Sequence, residues 1–319
     1  MKKRYDIVRF FFKCILIPAA AVLVIYGLNK PYKEIDAQQY MDIVKFDSLG
    51  TYFWEIQIGN LGSSHGMYDF NYDRLTERGN VCFNFANTSQ SFDYDYAILK
   101  EYVQYMDEKS VLFIPVSYFS FNNEVVSDTE AEAMSIRYYH FLSPENIPNY
   151  DPYVDLVTNR LPILSAGKDI LKLFPKIETV LTAHAQEYEI NVEEFARAAR
   201  ERYSRHFDNK DEYFMPERIE ELYEIIAFCR ENDITPVLVT TPLSNYYADL
   251  VSQEFLQEFL ATVNKIASDT GVNYYDYSHD ERFYGNLEYF SDADHLNDEG
   301  SIYYTAILWD EVEELQRFH

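Results

Sequence analysis

Two short stretches of this 319-residue chain place reactive side chains at spacings that chemistry can use. The first is Gly59-Asn60-Leu61-Gly62-Ser63-Ser64-His65-Gly66, a glycine-flanked turn with two hydroxyls at its apex. A serine held there, with its backbone N–H at the start of a helix, can present Oγ as a nucleophile where developing negative charge is favoured. The same serines could instead cap the helix by satisfying its open N–H groups. The second stretch is Ser291-Asp292-Ala293-Asp294-His295-Leu296-Asn297-Asp298-Glu299-Gly300. Asp292 stands three residues before His295, near enough within one turn for its carboxylate to accept the imidazole Nδ1–H, fix the tautomer and stabilise the imidazolium. A serine is a weak nucleophile without such a base. The acidic run fails the calcium-loop pattern, because Leu296 fills the third ligand position. Asp298-Glu299 also suits the first turn of a following helix.

The elements that must position these residues read as strands alternating with amphipathic helices, the pattern of a parallel α/β sheet. Five strands are expected at Trp54–Ile58, Val81–Phe85, Val111–Val116, Pro236–Thr240 and Val272–Tyr277. Helices are expected over Tyr96–Met106 and from Pro216 to about Asn232-Asp233, both from apolar residues on a 3.6 period, over Gln253–Ser268 before Gly271, and from Asp298 or Glu299 to Gln316. In such a sheet, ligands gather at the carboxyl ends of strands, where both stretches fall. Residues 119–213 break the rhythm. Cut by Pro144, Pro148, Pro152, Pro162 and Pro175, they read as a helical insertion that either walls a substrate site or packs.

The N-terminus sets the compartment. Residues 1–13 carry Lys2, Lys3, Arg4, Arg9 and Lys13 against Asp6, and Cys14 to Asn29 follows without a charge. With the preceding Phe10-Phe11-Phe12 the run reaches about the 20 residues a spanning helix needs. The basic flank favours a cytoplasmic N-terminus. The expected layout is a basic segment at 1–13, a single-pass anchor at 14–29, a stalk at 30–49 and an extracytoplasmic α/β domain at 50–319. A cleaved signal and a buried soluble helix are the alternatives. The formal net charge of −26 opposes a phosphate backbone and excludes nucleic acid as a partner. Cys14, Cys82 and Cys229 are too few and scattered for a metal cage or disulfide framework, and each is expected as a buried free thiol.

Together, Gly62-Ser63-Ser64 and Asp292-Ala293-Asp294-His295 resemble the SGNH hydrolase superfamily, also called the GDSL esterase family. In that family a Gly-Asp-Ser-like turn follows the first strand and an Asp-x-x-His pair follows the last. The resemblance implies a flavodoxin-like five-stranded parallel sheet over roughly residues 50–319, with Ser64 as nucleophile, His295 as base and Asp292 as its orienting acid. It is closest in layout to membrane-anchored bacterial envelope members, among them the D-alanyl transfer protein of teichoic-acid modification and proteins that work beside membrane-bound O-acyltransferases. It implies an acylated polysaccharide or teichoic-acid-like polymer as substrate, a membrane O-acyltransferase as a partner, and no cofactor or metal. A non-catalytic scaffold or glycopolymer-binding module is the other reading.

The family's middle blocks, which supply oxyanion donors, are altered here. Ala86 stands where a glycine is typical, so the N–H of Ala86 or Asn87 is the expected donor beside that of Ser64. Ser117 or Asn122 would replace the family's later asparagine. His65 could be a second base, an oxyanion donor or an orienting group. His140, His184, His206, His279 and His319 lack ligand-like spacing and are expected at the surface. Thr240-Thr241-Pro242-Leu243-Ser244 is expected as a shaped turn at the same crevice. The 29 tyrosines and 23 phenylalanines are expected mainly as packing.

Overall fold

The computed structural model describes residues 2–37, 41–122, 135–173, 192–207 and 213–316. The chain divides into two units, Met1–Asp47 with Glu132–Ala185, and Ser48–Ala131 with Gln186–His319.

In the first unit, helix α1 runs over Lys2–Ala37 and α2 over Met41–Asp47. Phe12–Glu34 is long and apolar enough to cross a membrane, by length and composition. The segment expected as a stalk is thus helical in its first part, and Pro31 lies inside α1. That end of α1 is held by packing. Tyr32 is buried, the Asn29 Nδ2 donates to the Arg160 carbonyl at 2.9 Å, and the Lys33 Nζ donates to the Asn159 Oδ1 at 2.9 Å. Cys14 is exposed rather than buried, on a stretch of α1 where Ile15, Ile17 and Leu23 are exposed as well. The remaining described residues make short turns, over Arg137–His140, Pro152–Asp155, Leu156–Arg160, Pro162–Leu164 and Gly167–Leu173. Pro152 opens its turn behind Asp151, whose carboxylate accepts the Tyr153 N–H at 2.7 Å. Pro162 in turn keeps Leu156–Arg160 from running on into the turn that follows it.

The second unit is built on five parallel strands, β1 (Ile56–Asn60), β2 (Cys82–Asn84), β3 (Met106–Pro115), β4 (Thr235–Thr240) and β5 (Asn273–Asp276). Their order is β2-β1-β3-β4-β5. This is the flavodoxin-like order expected from the sequence, with the switch point between β1 and β3. β1 starts two residues later than expected, after Glu55 at φ 52°. β3 starts five residues earlier. The predicted helix at Tyr96–Met106 forms instead over Phe92–Tyr102, with Asp93 and Asp95 in its first turn, and tightens at Val103–Tyr105, which releases Met106 into the strand.

Alternation along the strands sorts the core. Val111 and Phe113 of β3 and Val237 and Val239 of β4 join Tyr304 and Leu308 of the last helix in one buried cluster. Leu112, Ile114 and Leu238 are equally buried on the opposite face. Helices α3 (Ser64–Tyr68), α4 (Asp73–Glu77), α5 (Phe92–Tyr102), α6 (Val192–Phe207), α7 (Pro216–Glu231), α8 (Gln253–Thr270) and α9 (Asp298–Gln316) belong to the same unit, with a single turn over Asn245–Ala248. Pro216 opens α7 as predicted, and Gly271 at φ 64° closes α8. The stretch expected as one insertion is shared between the two units, with α6 in the sheet-bearing one. Cys82 and Cys229 are buried free thiols, and burial pushes both up to about 12. Tyr118, Tyr247 and Phe283 are fully buried, as aromatic packing requires.

Candidate active site

The turn after β1 owes its shape to two glycines and two asparagines. Gly62 sits at φ 115°, and a Cβ there would lie 3.1 Å from the Pro115 ring. Its N–H donates to the buried Asp95 Oδ1 at 2.8 Å. At Gly66 a Cβ would collide with the Leu61 carbonyl, so the chain can fold back tightly enough to start α3 only with glycine there. The Asn60 and Asn84 amides both donate to the Gly66 carbonyl, at 2.8 and 2.9 Å. Ser63 occupies the cap position of α3 but makes no capping hydrogen bond. Ser64 follows it, half-buried, with its hydroxyl directed elsewhere.

That hydroxyl lies 2.9 Å from the His295 Nε2. The other ring nitrogen, Nδ1, lies 2.9 and 3.0 Å from the two Asp292 carboxylate oxygens. Because an ionised carboxylate only accepts, the Nδ1 carries the proton and the Nε2 lone pair faces the serine. Asp292 is itself fixed by its own turn, accepting the N–H groups of Asp294 at 3.1 Å and His295 at 3.0 Å. The Leu296 N–H donates to the Asp69 Oδ1 at 2.8 Å, fastening the histidine loop to the end of α3. Burial pushes Asp69 up to about 7, against the lowering effects of the His295 charge and the Leu296 N–H.

A second imidazole stands beside the first. The His65 and His295 rings are 5.3 Å apart in an edge-on arrangement. His65 is buried, with its Nε2 3.3 Å from the Asp294 Oδ2 and its Nδ1 2.8 Å from the Ser117 Oγ. The Ser117 N–H in turn donates to the Ser120 Oγ at 2.8 Å. Arg202, from α6, places Nη2 3.2 Å from Asp292 and Nε 3.0 Å from Asp294. Burial would raise the Asp294 carboxyl, but the His65 hydrogen bond and the charges of His295, His65 and Arg202 outweigh it and hold it far below the usual range. Sequence reasoning missed Arg202, which lay inside the presumed insertion without a motif, and gave Asp294 no role. Its signal was present in the doubled acid of Asp292-Ala293-Asp294-His295.

The expected oxyanion donors fare differently. The Ser64 N–H, in the open first turn of α3, has no acceptor among the described residues. The Ala86 N–H is bound to the Asn84 Oδ1 at 2.9 Å, and the Asn87 N–H to the Gly62 carbonyl at 3.1 Å. The loop after β2 is curled onto the serine turn, and both expected donors are engaged in holding it there. Asn122 donates to the His206 carbonyl at 3.3 Å. His206 is buried, not exposed as expected, with its Nδ1 2.7 Å from the Tyr247 hydroxyl, and burial pushes it down to about 3. His140 is half-buried and His279 exposed, while His184 and His319 lie outside the described residues. The turn after β4 is structural, with the Ser244 Oγ donating to the Ala293 carbonyl at 2.5 Å and the Thr240 Oγ1 to the Val116 carbonyl at 2.8 Å.

Ligand atoms of His65, Asp294 and His295 lie within 4.8 Å of one another. They are committed to Asp292, Ser64, Ser117 and each other, and the Arg202 guanidinium already lies against Asp294. The charge pattern suits paired imidazoles rather than a divalent cation.

No protein-family model and no curated protein matches the chain. Among solved structures it is similar to a candidate acylhydrolase from Bacteroides fragilis at 10% identity, covering 82% of this chain and 88% of that one with a TM-score of 0.40. It is similar at 12% identity to a candidate platelet activating factor protein from Streptococcus pneumoniae, covering 92% and 98% with a TM-score of 0.44. It also resembles a GDSL-like lipase from Bacteroides thetaiotaomicron at 10% identity, covering 82% and 89% with a TM-score of 0.38. The chemistry of the site rests on the distances above.

Proposed function

We propose that this chain is a serine acylhydrolase or O-acyltransferase of SGNH type, anchored in a membrane by α1, with its α/β body on the extracytoplasmic side. One observation carries the reading, the unbroken Ser64–His295–Asp292 hydrogen-bond chain. Ser64 Oγ attacks an acyl carbonyl while His295 Nε2 takes the hydroxyl proton and Asp292 steadies the imidazolium. The Ser64 N–H faces the developing oxyanion. The His295 proton then passes to the leaving alcohol, which departs and leaves an acyl-serine. Water or a sugar hydroxyl, deprotonated by His295, takes the acyl group and restores the serine. An acylated envelope glycopolymer is the substrate class, and a membrane O-acyltransferase the partner that would load or share it. The anchor rests on the apolar length of Phe12–Glu34, and the orientation on the basic residues ahead of it.

A second reading, a non-catalytic scaffold or glycopolymer-binding module, is favoured by one observation. The Ala86 and Asn87 N–H groups are spent within the protein. A fluorophosphonate probe separates the two. Labelling that disappears in Ser64→Ala supports catalysis, and no labelling of folded protein supports the scaffold. Acyl release or transfer on purified envelope polymers then identifies the substrate.

A further inference from the structure

We propose that Asp294 is a second positioning carboxylate for His295, tethered through His65 and balanced against Asp292 by Arg202. The inference rests on the reading of Ser64 and His295 given above and adds a residue that the Ser–His–Asp scheme does not require.

The Asp294 Oδ1 lies 3.8 Å from the His295 Nδ1, against 2.9 Å for the nearer Asp292 oxygen. An opposite charge at that range favours the protonated ring substantially. Asp294 is wholly buried, where water screens it least, whereas the Asp292 side chain is 39% exposed. Its Oδ1 meets the Arg202 Nε at 3.0 Å without a well-aligned hydrogen bond, and so faces both the guanidinium and the His295 ring. Its Oδ2 is held by His65, which is anchored from the far side by Ser117, so the carboxylate cannot swing away. Arg202 contacts both acids and opposes their effect on the ring. The other titratable groups facing His295 are Asp69 at the end of α3, His65 within it, and His206 on α6. Tyr68 adds its ring at 5.2 Å. His295 thus sits between two carboxylates of different exposure, with one cation joining them.

The arrangement makes predictions of opposite sign that loss of packing cannot mimic. In the full-length protein, Asp294→Asn removes negative charge near the ring, so the acid limb of the fluorophosphonate labelling rate moves down by about one pH unit. Arg202→Gln removes positive charge, so the limb moves up. Asp292→Asn loses only about 10- to 100-fold in labelling rate, well short of the ~10⁴ typical where the orienting acid stands alone. The Asp292→Asn, Asp294→Asn double variant falls to the level of Ser64→Ala. NMR titration of the His295 ring in histidine-labelled protein reads the same two displacements without any turnover. A protein that fails to label but shows them refutes the proposed function and keeps this inference. Displacement of both variants in one direction, or of neither, overturns the inference even where labelling is robust. Should Asp294→Asn not fold by thermal melt, Arg202→Gln, on a side chain 24% exposed, decides alone. An unmoved limb there overturns the proposal.

Discussion

Ser64 and His295 are 231 positions apart in the chain, and their facing atoms stand 2.9 Å from each other. The proposed mechanism requires both side chains. Ser64→Ala should abolish hydrolysis of a small activated acyl ester, and His295→Ala should lower kcat by at least about a thousandfold. Steady-state kinetics on the two purified variants checks this. Retention of more than a tenth of the wild-type rate by either would sink the proposed function.

Gly66 lies where an added Cβ meets the Leu61 carbonyl and, at 2.8 Å, the Ala86 Cβ. Gly66→Ala should therefore cost about 1–3 kcal/mol of stability as the turn is forced open, and slow labelling of Ser64 as its hydroxyl moves from the ring. Denaturant unfolding and probe kinetics measure the two effects. An alanine variant with wild-type values of both would show that the turn tolerates a side chain.

Asp95, which holds the Gly62 N–H, is pushed up to about 7 by burial, against hydrogen bonds from Gln90 and Gly62. In the unfolded chain it titrates near ~3.9. Between those values the folded protein keeps a proton that the unfolded chain has released. Its stabilising share is thus whole below about pH 4 and is lost as pH rises through 7. Asp69 behaves alike. His206 and His140, pushed down by burial to about 3 and about 4, act in the opposite sense below pH 6.5, so the slope for the whole protein is blunted. The informative quantity is the difference between wild type and Asp95→Asn. It should grow in favour of the variant by about 3 kcal/mol from pH 4.5 to pH 8. Urea unfolding across that range tests it, and parallel curves would show that Asp95 does not titrate there.

The three cysteines report on the anchor. Cys82 and Cys229 are buried, and only Cys14 is exposed, within the apolar stretch of α1. Native protein in membranes should react with a water-soluble maleimide at fewer than one thiol per chain, and at all three after denaturation. Fast modification of Cys14 in intact membranes would argue against a spanning α1.

Much of this was legible from the residues because each element declares itself locally. Val111–Val116 is an unbroken apolar run, Pro216 marks a helix start, and Asp292 to His295 fit within one turn. What escaped depends on tertiary placement. The Ala86 and Asn87 N–H groups looked available because nothing in sequence says that Asn84 and the Gly62 carbonyl would reach them first. Arg202 belongs to no motif within residues 119–213, and only the placement of α6 sets it against two acids. His206 looked solvated because the Tyr247 partner that makes its burial tolerable is 41 residues away.

The order β2-β1-β3-β4-β5 has a temporal side. Synthesis delivers the nucleophile early and its base almost last, so an emerging polypeptide carries an inert hydroxyl until β5 docks at the sheet edge and the loop behind it closes. Under the proposed function, reactivity is thereby deferred to the completed fold. A nascent chain stalled before residue 291 should ignore the phosphonate reagent, and release of the remaining residues should switch reactivity on.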